Sequence, residues 1–347
     1  KNKENKQNNN KYNKLKNYYI NNKTNYTEKQ YTFIISQIEV LLFSVISCLK
    51  ISSNYILAKS LKILTNLFDT RLFVIKKNLK KIGSNLFKNL GIITFNESDK
   101  NVAQIILSCF KELLTKFTFF EVSDHQMKLL INFLKIFINN LEMKSAIFSV
   151  LLAIVKRKFL HPCIYDMVDY IQETYLVSFD EATKKLSEII LLEFLNNYPL
   201  DPKRRNKHIN FFITNLESNS RNCVLNSLRI IRKIVEFCIN KDLNGNNSNS
   251  NSIKVIENEG KLLCDAVKDF VDFLVLKLLL LLGNSNDSDV KEISAKIIED
   301  IFNSEKLISK DKYDIYLAKM VNWIDIEKMG NDNNNNNGKD LFYIILF

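Results

Sequence analysis

Apolar residues recur along this chain with the period of an α-helix. Between Asp124 and Cys238, Met127, Leu130, Ile131, Leu134 and Ile138 fall at i, i+3, i+4, i+7 and i+11, and Ile147, Val150, Leu151 and Ile154 repeat that spacing. Ile164, Met167, Val168, Ile171 and Tyr175 mark the next helix. The one after it carries Leu186, Ile189, Ile190 and Phe194, widened by Leu191, Leu192 and Leu195. A stripe that wide exceeds what one neighbour covers, so this helix is expected to pack on two sides. Ile209, Phe212, Ile213 and Leu216, followed by Val224, Leu228, Ile231, Val235 and Cys238, make a further antiparallel pair.

The same pattern begins earlier and continues later. Helices are predicted over Tyr31–Leu49, Tyr55–Phe68 with Asn54 as its cap, Leu72–Leu90 and Val102–Phe119. Asp289–Phe302 and Lys310–Trp323 follow at the far end. Start signals agree: Pro162 and Pro202 suit a first helical position, with Asp201 as N-cap, and Ser123-Asp124, Asn219-Ser220 and Asp287-Ser288-Asp289 are further starts. Two helices per unit and a repeat of roughly 40 residues are the dimensions of a HEAT/armadillo-like α-solenoid. The reading is therefore all-α, about six or seven antiparallel helix pairs.

Organisation follows from composition. Residues 1–29, rich in Asn, Lys and Tyr, are expected to be disordered, and 30–328 to form the solenoid. Within it, Asp242 to Ser252 is an Asn/Ser/Gly insert, expected to be a disordered loop between two helices. A low-complexity linker is expected over 329–340, and 341–347 opens a further apolar run. The missing initiator Met and that abrupt apolar ending are read as a piece of a longer polypeptide. The apolar helix around Phe270–Leu282 is too short for a membrane span and carries Asp272 and Lys277, so a buried inner helix is expected.

Candidate chemistry is sparse. Cys48, Cys109, Cys163, Cys223, Cys238 and Cys264 lack metal-knuckle spacing and mostly occupy apolar helical positions, as reduced core thiols do. His125, His161 and His208 lie far apart, and none of the seven glycines forms a phosphate-binding loop. No enzyme, cofactor, metal or small-molecule substrate is expected. A net charge of +11 favours an anionic partner. Two basic clusters are candidates for RNA or an acidic partner. Lys156, Arg157 and Lys158 follow the last apolar turn of their helix, where the negative end of the dipole already accounts for cations. Lys203, Arg204, Arg205 and Lys207 occupy a first turn, where positive charge opposes the dipole by roughly a few tenths of a kcal/mol per residue. Asp201 offsets only part of that, which makes this cluster the stronger candidate.

Several passages in order resemble one family. Lys156-Arg-Lys-Phe-Leu-His-Pro-Cys-Ile-Tyr-Asp-Met, Tyr198-Pro199-Leu200 and Ile209-Asn-Phe-Phe-Ile-Thr-Asn-Leu are similar to the down-regulated-in-metastasis family. Cys109-Phe-Lys-Glu-Leu-Leu, His125-Gln-Met-Lys-Leu-Leu and Met320-Val-Asn-Trp323 extend the likeness from about Gln37 to Trp323. The chain departs from the family at Asp201-Pro202, where Gly is expected, and at Ser220-Arg221-Asn222 in place of Gly-Arg-Glu. The resemblance implies a non-catalytic HEAT-repeat scaffold of the small-subunit processome, acting in the nucleus and nucleolus. Its implied partners are pre-ribosomal particle proteins, with ribosomal RNA precursor or small nucleolar RNA as further ones, and no membrane. The alternative is a HEAT-repeat protein-binding scaffold such as a nuclear transport receptor. A third class, an enzyme with a helical-repeat arm, needs a catalytic domain outside this sequence.

Overall fold

A computed structural model describes residues 28–70, 72–93, 97–240, 251–304, 307–308 and 312–318. The expected disordered start, most of the 242–252 insert, the 329–340 linker, the 341–347 segment and Met320–Trp323 lie outside the described residues. Among those described there is no strand.

The helices are α1 (Glu28–Cys48), α2 (Asn54–Thr70), α3 (Phe73–Ile92), α4 (Glu97–Lys116), α5 (Asp124–Phe137) and α6 (Lys144–Lys156). Then come α7 (Pro162–Val177), α8 (Glu181–Asn197), α9 (Pro202–Thr214) with a short 3-10 turn at Asn215–Glu217, α10 (Arg221–Asn240), α11 (Asn251–Asn284) and α12 (Ser288–Phe302). They fall into two compact units, 1–130 and 131–347, with the boundary inside α5.

In the first unit α2 packs on α1 and α4, and α3 on α1 and α4. In the second, α8 packs on α6 and α7, α10 on α7, α9 and α12, and α11 on α9 and α12. Contacts with the next helix and the next but one define stacked antiparallel pairs, so the fold is a HEAT/armadillo-like α-solenoid. Each pair buries one apolar stripe, for example Leu61, Leu64 and Phe68 against Ile106, Phe110 and Phe117, with the rings of Phe68 and Phe117 edge to face at 5.3 Å.

Two polar devices hold stacked helices in register. First-turn side chains reach the acidic start of the helix two further on: Asn54 to Asp99 at 2.8 Å, Lys144 to Asp180 at 3.4 Å and to Thr183 at 2.6 Å, and Arg221 to Asp287 and to Asp289, the latter at 2.6 Å. Asparagine amides also cap carbonyls left unpaired at helix C-termini. Asn89 donates to Leu49 O at 2.9 Å, Asn226 to Tyr175 O and Leu176 O at 3.1 and 3.0 Å, and Asn222 to Ser178 O at 2.8 Å. The amide nitrogen of the completely buried Asn226 is satisfied in this way.

Local expectations met the structure unevenly. Pro162 and Pro202 open α7 and α9, Asp201 and Asp287 accept backbone N–H groups as N-caps, and Ser123 exchanges hydrogen bonds with Gln126 as a capping box. Asn54 is instead the first helical residue, its amide spent on Asp99. Helix α8 does pack on more than one neighbour, but Ile189 is 49 % exposed. The face turned inward carries the small Thr183 and Ser187, which allow close approach, and rotates Ile189 out. Helix α11 is longer than expected and starts at Asn251, at the end of the segment read as an insert. It buries Val267, Val271, Leu274, Leu278 and Leu282 but leaves Phe273, Leu276 and Leu280 exposed, so it is buried on one face and not all round. Lys277 lies in the buried face because its ammonium pairs with Glu217 and stands 4.6 Å from the Phe273 ring.

Candidate nucleic-acid interface

The two basic clusters, separated by some forty-five positions, meet on one aromatic cluster in the second unit. Helix α6 ends at Lys156; Arg157 N–H donates to Ala153 O and Lys158 N–H to Val155 O. Lys158 then takes φ 56°, the left-handed conformation that stops the helix. That turn delivers Phe159, whose ring stacks under Arg157 at 4.5 Å and whose carbonyl accepts from the Tyr198 hydroxyl. Tyr198 stacks on Phe194 at 4.7 Å and meets Tyr165 edge-on at 5.9 Å. The Arg204 guanidinium lies 3.8 Å from the Tyr165 centroid, close enough for a cation–π contact.

The cations differ in what they have left to offer. Arg204 is stacked on Tyr165 and 3.3 Å from the Asp201 carboxylate. Lys207 pairs with Asp169 of α7 at 2.9 Å. Arg205 is 1 % exposed and belongs to the core, so the first-turn cluster is not one exposed patch. Helical periodicity places Arg205 on the same side as His208, Ile209 and Phe212, all buried. Arg157 is half-buried, and burial lowers its pKa. Among the described residues, no carboxylate pairs with Lys156, Lys158 or Lys203, and Lys156 and Lys203 are exposed.

Around them the other titratable groups are structural. His208 is buried beneath Phe194, and the Gln172 side-chain carbonyl accepts from its Nδ1 at 2.6 Å. Burial pulls its pKa down to about 4; Asp169, 3.7 Å away, opposes that shift, while Lys207 and Arg204 add to it. His161 is the N-cap of α7, its Nδ1 accepting from Cys163 N at 3.2 Å and lying 2.7 Å from Cys163 Sγ. His125 begins α5. The histidines do not converge, and no cluster of three metal-binding side chains occurs among the described residues. None of the six cysteines forms a disulfide; Cys109, Cys223 and Cys238 are buried, and burial raises the Cys109 pKa to about 12. No helix among the described residues is long and apolar enough to cross a membrane.

Sequence reasoning missed Phe159, Tyr165, Asp169 and Tyr198 as members of this site. The signal was present in part: Tyr165 and Asp169 are one turn apart, on the face that meets α9. Asp180 was missed as the N-cap of α8; it accepts from Ala182 N and Thr183 N, and bonds from Thr183 hold its pKa near about 2.

Comparison with known proteins gives a distant likeness. No protein-family model matches the chain. It is 19 % identical over 253 residues to U3 small nucleolar RNA-associated protein 20 of Schizosaccharomyces pombe, a match covering 72 % of this chain and 9 % of that protein. The chain thus corresponds to a small part of that relative's length. Among solved structures, a Kap121p mutant matches with TM-score 0.43 and 12 % identity over 87 % of this chain and 33 % of that one. An engineered protein matches with TM-score 0.40 and 14 % identity over 75 % and 95 %. The relative from Schizosaccharomyces pombe is named for association with a small nucleolar RNA.

Proposed function

We propose that this chain is a segment of a non-catalytic HEAT-repeat scaffold of small-subunit ribosome assembly, working in the nucleolus with pre-ribosomal proteins and RNA. The observation that carries the reading is the likeness to U3 small nucleolar RNA-associated protein 20 along 253 residues, which spans most of the repeats. Its work is architectural: stacked helix pairs present long surfaces on which particle components are held while the precursor matures. Lys156, Lys158 and Lys203 supply the free charge at the aromatic edge, where Arg157 and Arg204 are stiffened by Phe159 and Tyr165 and so lose little freedom on contacting phosphate. Lys207 contributes to orienting α9 against α7 through Asp169.

The test is gentle purification of the tagged full-length protein from its own cells, followed by identification of bound RNA and protein. Precursor small-subunit ribosomal RNA, a small nucleolar RNA and assembly factors are the expected companions. A transport GTPase with cargo, and no ribosomal precursor, would overturn the reading in favour of a transport receptor.

A further inference from the structure

Helix α3, in the first unit, carries five lysines and neither Asp nor Glu. Its core face, from Val74 and Ile75 through Leu79, Ile82 and Leu86 to Leu90, is buried. At 100° per residue, Lys77, Lys80, Lys81 and Lys88 fall within an arc of about 100° on the opposite side, and all four are exposed. Among the described residues none of the five lysines pairs with a carboxylate. By contrast Lys116, Lys144, Lys207, Arg221, Lys233 and Lys277 each meet an acid on a neighbouring helix or turn. Like charges at Lys76–Lys80 and Lys77–Lys81 stand four residues apart and repel along the helix.

Two exposed rings extend this face. Phe73, 40 % exposed, lies 5.7 Å from Lys77 Nζ, and Phe119, 53 % exposed, lies 5.5 Å from Lys76 Nζ. Beside the stripe, Lys80 and Ser84 border an open groove closed on its other side by the Glu121–Ser123 turn and Gln126. Glu121 is the acid of that groove, and it forms no ion pair with Lys80.

We propose that the lysine face of α3 is a binding surface for the phosphate backbone of RNA. The proposal rests on reading RNA as the scaffold's polyanion. From Lys77 to Lys88 the helix advances about 16 Å, long enough to lie along several successive phosphates of one strand. An array of ammonium point charges suits such a regular row of phosphates. It lacks the arginine forks that recognise individual carboxylates, which argues against an acidic protein segment. The exposed Phe119 ring adds an aromatic surface on which an unpaired base can pack. The apolar side of α3 is committed to the core, so the helix cannot lie in a lipid interface.

The experiment is fluorescence anisotropy on the whole 347-residue chain, with fluorescein-labelled 20-nucleotide single-stranded RNA, the matching duplex, and a labelled 20-residue polyglutamate, each between 50 and 300 mM KCl. The wild type is expected to bind RNA with log K falling against log salt at a slope of about −2 to −3. Combined Lys77→Gln, Lys80→Gln, Lys81→Gln and Lys88→Gln is expected to weaken binding at least tenfold and flatten the slope by about 2, with helicity and melting unchanged. Should that variant unfold, the pairs Lys77→Gln with Lys81→Gln and Lys80→Gln with Lys88→Gln are each expected to lose threefold or more. Unchanged affinity in the variants, no RNA binding by the wild type, or polyglutamate binding as tight as RNA would overturn the proposal. Loss of RNA binding here alongside a purified complex that lacks ribosomal precursor would refute the assembly role and leave the surface standing; the reverse pair of results would do the opposite.

Discussion

The basic stripe of α3 and the basic edge formed by α6, α7 and α9 look alike as strings of Lys and Arg, yet they are different objects. At the edge, Arg205 is buried, Lys207 pairs with Asp169, and Arg204 is shared between Asp201 and Tyr165. On α3, Lys77, Lys80, Lys81 and Lys88 face outward, and among the described residues no carboxylate pairs with them. A local density of cations therefore measures neither exposure nor available charge. What decides is whether the neighbouring helix brings a carboxylate to meet them or buries them, which is a property of stacking and not of the segment.

The largest effect that tests this contrast is expected at Arg205. Arg205→Ala should cost about 3 kcal/mol, because it removes a large, fully enclosed side chain and leaves a cavity, while RNA affinity of the folded protein stays as it was. Urea unfolding with anisotropy on the folded fraction checks both halves; a loss below about 1 kcal/mol would mean that Arg205 is not a core residue.

The next is the pH response of the same edge. The folded His208 has its pKa depressed to about 4, so between there and its ordinary value near 6.5 the unfolded chain binds the extra proton. Stability therefore rises with pH across that window and is lost as pH falls through it, by up to about 3 kcal/mol. Asp169 works against this dependence, whereas Lys207 and Arg204 strengthen it. Unfolding midpoints at pH 7 and pH 4.5 should differ less in His208→Gln than in the wild type; equal differences would remove His208 as the cause.

The smallest effect carries opposite signs in the two regions. Lys81→Glu turns the Lys77–Lys81 repulsion into an attraction and should stabilise by about 0.5 kcal/mol. Lys207→Gln breaks a surface pair and should destabilise by roughly 0.5 kcal/mol. Chemical unfolding of the two variants side by side decides it, and the same sign in both would erase the contrast.

Much of the fold was legible because helical stacking is a local affair. Caps and prolines located the starts of α7, α9 and α12 to within a residue or two, since Pro162, Asp201 and Asp287 act on their own backbones. The rotation of α8 was not legible: an apolar stripe seven residues wide allows several inward faces, and the small Ser187 and Thr183 chose one that exposes Ile189. Gly83 shows the same limit: it lets the buried Phe120 ring lie against α3 where a Cβ would collide, a contact that no local pattern reveals.

By itself the sequence determined the class, an all-α array of antiparallel pairs, together with most helix starts and the basic balance. These depend on periodicity and on side chains acting within one turn of their own backbone. Only the tertiary structure decided which cations are spent: it put Arg205 in the core, brought Asp169 to Lys207 and Tyr165 to Arg204, and left the α3 lysines facing outward without carboxylate partners. The reason is that desolvation and ion pairing depend on groups some forty residues away in sequence, brought alongside by the stacking of one helix pair on the next.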